Sequence, residues 1–68
     1  MNVLVMDYLT ALKKKIREDM NSYTDDIATG QCADFATYKE LCGVIRGLAL
    51  AERSLLDLAQ NIEDEDNE

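Results

Sequence analysis

The chain has 68 residues, a formal net charge of −7, two cysteines and neither histidine nor proline. Such a length forms one small domain at most, and a domain of this size needs disulfides, a metal, very regular helix packing or oligomerisation to be stable. Cys32 falls in a predicted loop and Cys42 more than two turns inside a predicted helix, too far apart for a disulfide, and the ligands of a zinc site are missing. We therefore expect no metal or other cofactor, and stability from helix packing and self-association.

No apolar run approaches the roughly 20 residues of a membrane span, and residues 1–6 are too short for a signal peptide and lack its basic start. These features predict a cytoplasmic protein with reduced thiols and no membrane partner.

The negative charge is concentrated at the C-terminus. Five of the fourteen acidic residues lie in the segment 63–68, which leaves nine acids and seven bases in the rest of the chain. We therefore predict an acidic tail over 63–68 on a nearly balanced body, which lacks the basic footprint of a nucleic-acid-binding protein.

The first predicted helix spans 7–28. Residues 1–6 form either an extended arm or a first helical turn, and Asp7 is a good N-cap residue. Apolar residues then recur every three or four positions, which predicts one narrow seam against a partner helix. The seam consists of Leu9, Leu12, Ile16, Met20, Tyr23 and Ile27.

A loop over 29–34 separates this helix from a second one over 35–62. Gly30 suits the left-handed position that follows a helix, and Asp34 is the preferred N-cap of the second helix. Thr37 and Glu40 offer a competing capping box, but Phe35 already follows the helical period. So short a connection favours an antiparallel hairpin.

The second helix carries more apolar surface than the first can cover. Its apolar positions span roughly half the circumference, wider than the stripe of an ordinary surface helix. We expect the face around Tyr38, Ile45 and Leu56 to pack in the hairpin and the opposite side to meet a partner. The predicted fold is therefore all-α, an antiparallel two-helix hairpin packed into an oligomeric helical bundle.

Two glycines lie on the side predicted to meet that partner. Each costs about 1 kcal/mol relative to alanine inside a helix, which indicates that another helix approaches closely. The alternative is that both relieve crowding within the hairpin. The predicted interface consists of Gly43, Val44, Gly47, Ala51, Leu55 and Leu58.

Two charged features stand out. Glu52 lies in the middle of the apolar arc, where an unpaired carboxylate is costly, so we expect it to meet a base and to fix the register. Lys13 of the same chain is one candidate, and Arg46 or Arg53 of a neighbouring chain is another. A basic cluster in the first helix either contacts phosphate or an acidic partner or is simply a solvated face, the commoner case; it consists of Lys13, Lys14, Lys15 and Arg17.

No constellation of catalytic residues is visible. The serines have no histidine to activate them, and Glu52 has no second acid or nucleophile beside it. We therefore predict a non-enzymatic protein–protein interaction or assembly protein with no catalytic site. The alternative is a small acidic inhibitor whose tail and Asp25–Asp26 corner block a basic surface of a host enzyme.

The segment DFATYKELCGVIRGLALAERSLLDL resembles small phage-encoded proteins of the virion or morphogenesis type. This segment makes up about a third of the chain. Its matching residues are Tyr38, Leu41, Gly43, Ile45, Gly47, Leu48 and Ala51. The resemblance implies a minor virion or head–tail assembly component, found in the host cytoplasm or the virion. It carries over no catalytic residue, and makes Tyr38 and the two glycines packing positions.

Overall fold

The computed structural model describes residues 3–66, with side chains for residues 4–65. Two helices, α1 (Val3–Ala28) and α2 (Phe35–Asp66), contain nearly all of these residues and pack against each other as a hairpin. The predicted all-α hairpin is confirmed. The molecule is long and thin, with principal extents of 52 × 15 × 11 Å.

The hairpin turn follows two local capping motifs. Gly30 adopts φ 80°, the Gln31 N–H donates to the Asp26 carbonyl at 2.9 Å, and the Gly30 N–H donates to the Ile27 carbonyl at 3.3 Å. This pair of bonds is a Schellman motif, which satisfies the last carbonyls of α1. The turn therefore needs glycine at position 30, because its backbone is left-handed.

Asp34 caps the start of α2. Its Oδ1 accepts the Thr37 N–H at 2.7 Å, and this bond holds the pKa of Asp34 below its usual value of 3.8. The Tyr38 N–H donates to the Asp34 carbonyl at 3.1 Å, which continues the helical ladder. The structure thus uses Asp34 rather than the competing box at Thr37.

Both helices extend further than the sequence pattern indicates. α1 begins at Val3 instead of Asp7, and Met6 in its first turn lines a groove together with Leu56 and Ala59 of α2. The predicted arm is therefore helical from residue 3, while residues 1–2 lie outside the described part. α2 continues through the first four residues of the predicted acidic tail to Asp66, and positions 67–68 lie outside the description.

The hairpin has almost no fully buried core. Among residues 4–65, only Leu55 and Glu52 are buried, at 8% and 9% exposure. The seam residues of both helices are mostly half-buried, and Leu12, which we predicted to lie in the seam, is 49% exposed. Neither described helix is long and apolar enough to cross a membrane.

Candidate interaction surfaces

The hairpin leaves apolar residues exposed on both of its broad sides. The middle of the apolar arc of α2, from Leu48 through Glu52 to Leu55, faces α1. Tyr38 and Leu56 lie on one flank of this arc and Leu58 on the other, by the 100° rotation per residue. The surplus apolar surface of α2 is therefore split between two faces, instead of lying on one side as we predicted.

The first of these surfaces is called the Tyr38 face. On α2 it contains residues spaced alternately three and four apart, with a seven-residue step across Glu52, which is the spacing of a second helix-packing seam. They are Tyr38, Cys42, Ile45, Ala49 and Leu56. Tyr38 and Leu56 are 42% and 44% exposed, so α1 leaves much of this seam uncovered.

An aromatic pair marks the loop end of the Tyr38 face. The ring centroids of Phe35 and Tyr38 are 6.2 Å apart, and the Lys39 Nζ lies 5.9 Å from the Phe35 centroid. A hydrogen bond from the Tyr38 hydroxyl to the Cys42 sulfur raises the pKa of Tyr38 above its usual value of 10.0, and the charges of the Cys42 and Cys32 sulfurs add to the shift. Phe35 is 72% exposed, a high value for a phenylalanine.

An open groove of about 220 Å³ lies at the other end of the same face, between the two helices. It is mainly apolar, with one lysine at its edge. Its lining residues are Met6, Leu9, Thr10, Lys13, Leu55, Leu56 and Ala59. Because Lys13 and Leu56 line one groove, this flank of α1 and the Tyr38 flank of α2 belong to the same side of the hairpin.

The opposite surface is called the glycine face. It contains the two helical glycines with Ala51 and Leu58 on α2, and Tyr8 and Leu12 on α1, all of them exposed. A Cβ atom added at Gly43 or Gly47 would have no neighbour within 4 Å. Crowding within the hairpin therefore does not explain these glycines, and any need for small residues there arises outside the hairpin.

The predicted interface residues differ in their exposure. Gly43, Gly47, Ala51 and Leu58 are exposed, Val44 is half-buried, and Leu55 is 8% exposed. Including Leu55 in an external interface was wrong, because its side chain lies in the contact between α1 and α2. Whether Leu55 faces α1 or a partner depends on the rotation of α2 about its own axis. The sequence did not determine this rotation, because the apolar arc is wide enough to allow several.

Glu52 is buried, and its partner is Arg17. The Arg17 Nη2 donates to Glu52 Oε1 at 2.5 Å, whereas Glu52 Oε2 is buried and has no hydrogen-bond partner. Lys13, the candidate partner within the chain, instead lines the groove one turn away; the other candidates, Arg46 and Arg53 of a neighbouring chain, stay untested. Naming Lys13 was wrong by one helical turn, because the hairpin register brings Glu52 level with the longer Arg17.

The four bases of the predicted basic cluster do not share one face. Lys13 and Arg17 lie towards the Tyr38 face, while Lys15 points to the other side and pairs with Asp19 at 3.2 Å. Lys14 is exposed on the outer side of α1. This dispersal favours a solvated helix surface over a concentrated phosphate site.

A row of bases on α2 was missed in the sequence. Lys39, Arg46 and Arg53 recur every seven residues and lie along the outer edge of the Tyr38 face. Their seven-residue spacing was the signal in the sequence that could have revealed this row. None of them forms an ion pair with another residue of the 4–65 segment.

The described residues offer no candidate site for a metal ion. Within the described residues, no group of three potential ligands could hold a metal ion, and Cys32 and Cys42 are free thiols. No protein-family model, curated protein or solved structure matches the chain. The two exposed apolar faces are therefore the features on which a function can be argued.

Proposed function

We propose that this protein is a non-enzymatic assembly protein, which associates with itself and docks on a larger protein complex. One observation carries the proposal. Leu55 is the only buried apolar residue among residues 4–65, while eight large apolar side chains in that segment are 42–72% exposed. A monomer seldom keeps that much apolar surface in water, and a domain this small needs further burial to be stable.

The two faces give the protein the means to hold more than one neighbour. Each face has exposed large apolar residues, and the open space at Gly43 and Gly47 lets another backbone approach closely. The resemblance of the segment 34–58 to small phage proteins supports a phage particle or a head–tail intermediate as the larger complex.

Light scattering and native mass spectrometry at micromolar concentrations test the first step. We expect a mass above that of one chain, rising with concentration, and a monomer throughout the range would refute self-association. Replacing Gly47 by Leu should weaken association and leave helicity intact, since leucine is a better helix former than glycine. Unchanged association in G47L would remove the glycine face from the contact.

A second candidate is the acidic inhibitor of a host enzyme. The observation that favours it is the exposed acidic end of α2, where Glu63, Asp64 and Glu65 continue the helix. An acidic segment that is helical suits a basic cleft better than an unstructured acidic tail does. Truncation of this end separates the two candidates, because an assembly protein should still associate without it, whereas the inhibitor should lose binding to a basic surface.

A further inference from the structure

The hairpin exposes more surface than a compact monomer of its mass would. The chain of 7.7 kDa exposes 5206 Å², whereas a compact monomer of that mass would expose about 4300 Å². The excess of about 900 Å² is close to the roughly 800 Å² that each partner buries in a standard protein–protein interface. The excess thus corresponds to the area that one face of the hairpin buries in a contact of ordinary size.

The two faces carry opposite charge. The Tyr38 face has the bases Lys39, Arg46 and Arg53 and the single acid Asp57 along its outer edge, and the three bases lack ion-pair partners within residues 4–65. The glycine face carries the acids Asp26 and Glu40 together with the ion pair Lys15–Asp19, so its net charge is negative. Asp26 lies eighteen residues, or five full turns, from Tyr8, and Glu40 lies the same distance from Leu58.

The row of bases disfavours a symmetric pairing of two Tyr38 faces. A two-fold axis brings the same patch of both copies together. Centred on the row, it would place Arg46 against Arg46 of the second copy, and Lys39 against Arg53. Like charges facing each other across an interface suppress that pairing.

The two faces differ in shape as well as in charge. Phe35 and Tyr38 project large exposed rings from the Tyr38 face, and Leu56 adds a half-exposed side chain. The glycine face has open space at Gly43 and Gly47, where side chains are missing. One face therefore offers protruding apolar groups with bases, and the other offers a shallow surface with acids.

We propose that copies of this chain stack face to back, with the Tyr38 face of one copy on the glycine face of the next. This inference rests on the proposed self-association and specifies its geometry. The contact is heterologous, so each stack keeps a free Tyr38 face at one end and a free glycine face at the other, and it grows at both ends unless its rotation closes a ring. Such growth suits a component that builds a larger structure.

Two alanines provide matched variants. Ala49 lies on the Tyr38 face and Ala51 on the glycine face, two residues apart, and both are exposed. A49R places a bulky base on the basic face, and A51E places a bulky acid on the acidic face. Both new residues are good helix formers, so each variant should block one face and keep the fold.

The stacking model predicts a specific pattern of masses in light scattering. Wild-type protein forms oligomers that grow with concentration, because each added copy leaves a free face at both ends of the stack. A49R alone and A51E alone form no large oligomers and stay monomeric. An equal mixture of A49R and A51E forms a dimer of the two variants, since one intact face of each kind remains.

Other patterns overturn the model. A homodimer of A51E would indicate a symmetric contact of Tyr38 faces, and a homodimer of A49R a symmetric contact of glycine faces; either result leaves the proposed self-association standing. A monomeric wild type refutes the stacking and the self-association together. Circular dichroism checks the folding of each variant, and R46E/R53E provides a second block of the Tyr38 face at exposed edge positions.

Discussion

At the residue scale, the pair Arg17–Glu52 connects α1 and α2 in the observed register of the hairpin. Glu52 is 9% exposed and Arg17 is its partner in the described structure, while the arginine side chain remains 53% exposed. Loss of one member of a buried pair is costly, but water can reach this one, so R17A should lower the free energy of unfolding by about 1–2 kcal/mol. Urea denaturation at a fixed protein concentration measures this change.

The control for this prediction is K13A. Lys13 is exposed at the edge of the groove and forms no described ion pair, so its loss should change stability by less than about 0.5 kcal/mol. Replacement of both members in R17M/E52L should recover most of the stability lost in R17A, because the buried charge is removed with its partner. Equal losses in R17A and K13A would contradict the register.

The titration of Tyr38 offers a second prediction at this scale. The hydrogen bond to Cys42 raises the pKa of Tyr38 above 10.0, so the folded state favours the protonated phenol. The associated stabilisation is present below pH 10 and is lost as the pH rises through the higher folded pKa. In C42A the phenolate absorbance in a Y8F/Y23F background should appear at lower pH, and C32A should shift it less.

The sequence predicted the burial of Glu52 but not its partner. The position of Glu52 on the helical wheel follows from rotation alone. Its partner depends on the register between α1 and α2, which the loop and the packing set together. A shift of one turn exchanges Lys13 for Arg17, and both are bases, so the residue types could not distinguish them.

At the element scale, the two glycines of α2 weaken the isolated helix without any benefit to the hairpin. A Cβ at Gly43 or Gly47 meets nothing within 4 Å. G43A and G47A should therefore each stabilise the hairpin by about 1 kcal/mol through helix propensity. Thermal unfolding followed by circular dichroism measures this gain, with A49R, which the stacking model predicts to be monomeric, as the common background.

A loss of stability in these variants would contradict the prediction. If G43A or G47A destabilises the hairpin in the A49R background, the space at these positions is occupied by the chain itself, and the glycine face is not free. S54A is a suitable control, because Ser54 is exposed on the same side of α2 and its change alters propensity by only a few tenths of a kcal/mol.

The ends of the helices show which signals are local. Gly30 and Asp34 were predicted as cap residues, and their roles follow from bonds within a few residues. The start at Val3 and the end at Asp66 depend instead on the partner helix and on the absence of a breaking residue. Local chemistry therefore predicted the turn, and the outer ends required the packed structure.

At the scale of the whole molecule, the sequence predicted the hairpin and its surplus of apolar surface. It did not predict how the surplus divides. The apolar arc of α2 is so wide that α1 could pack at several rotations, and only the observed one buries Leu55 and leaves Tyr38 and Leu56 exposed. The division into two faces, with a different charge on each, is thus a property of the assembled pair of helices.

Removal of residues 63–68 tests how the acidic end relates to assembly. The deletion changes the formal net charge from −7 to −2 and removes negative residues from the C-terminus of α2, where they oppose the helix dipole. The hairpin contacts described above lie upstream, so helix packing should survive. Weaker repulsion between copies should then make association tighter, as measured by the concentration dependence of light scattering.

A variant of full length separates charge from chain length. Neutralisation of the five acids as E63Q/D64N/E65Q/D66N/E68Q should tighten association as much as the deletion does, because both remove the same charge. If the deletion instead abolishes association while the neutral variant retains it, the end of α2 makes a contact of its own. If both leave association unchanged, repulsion from the acidic end does not limit assembly, and a separate role such as binding a basic enzyme surface becomes the better account of its charge.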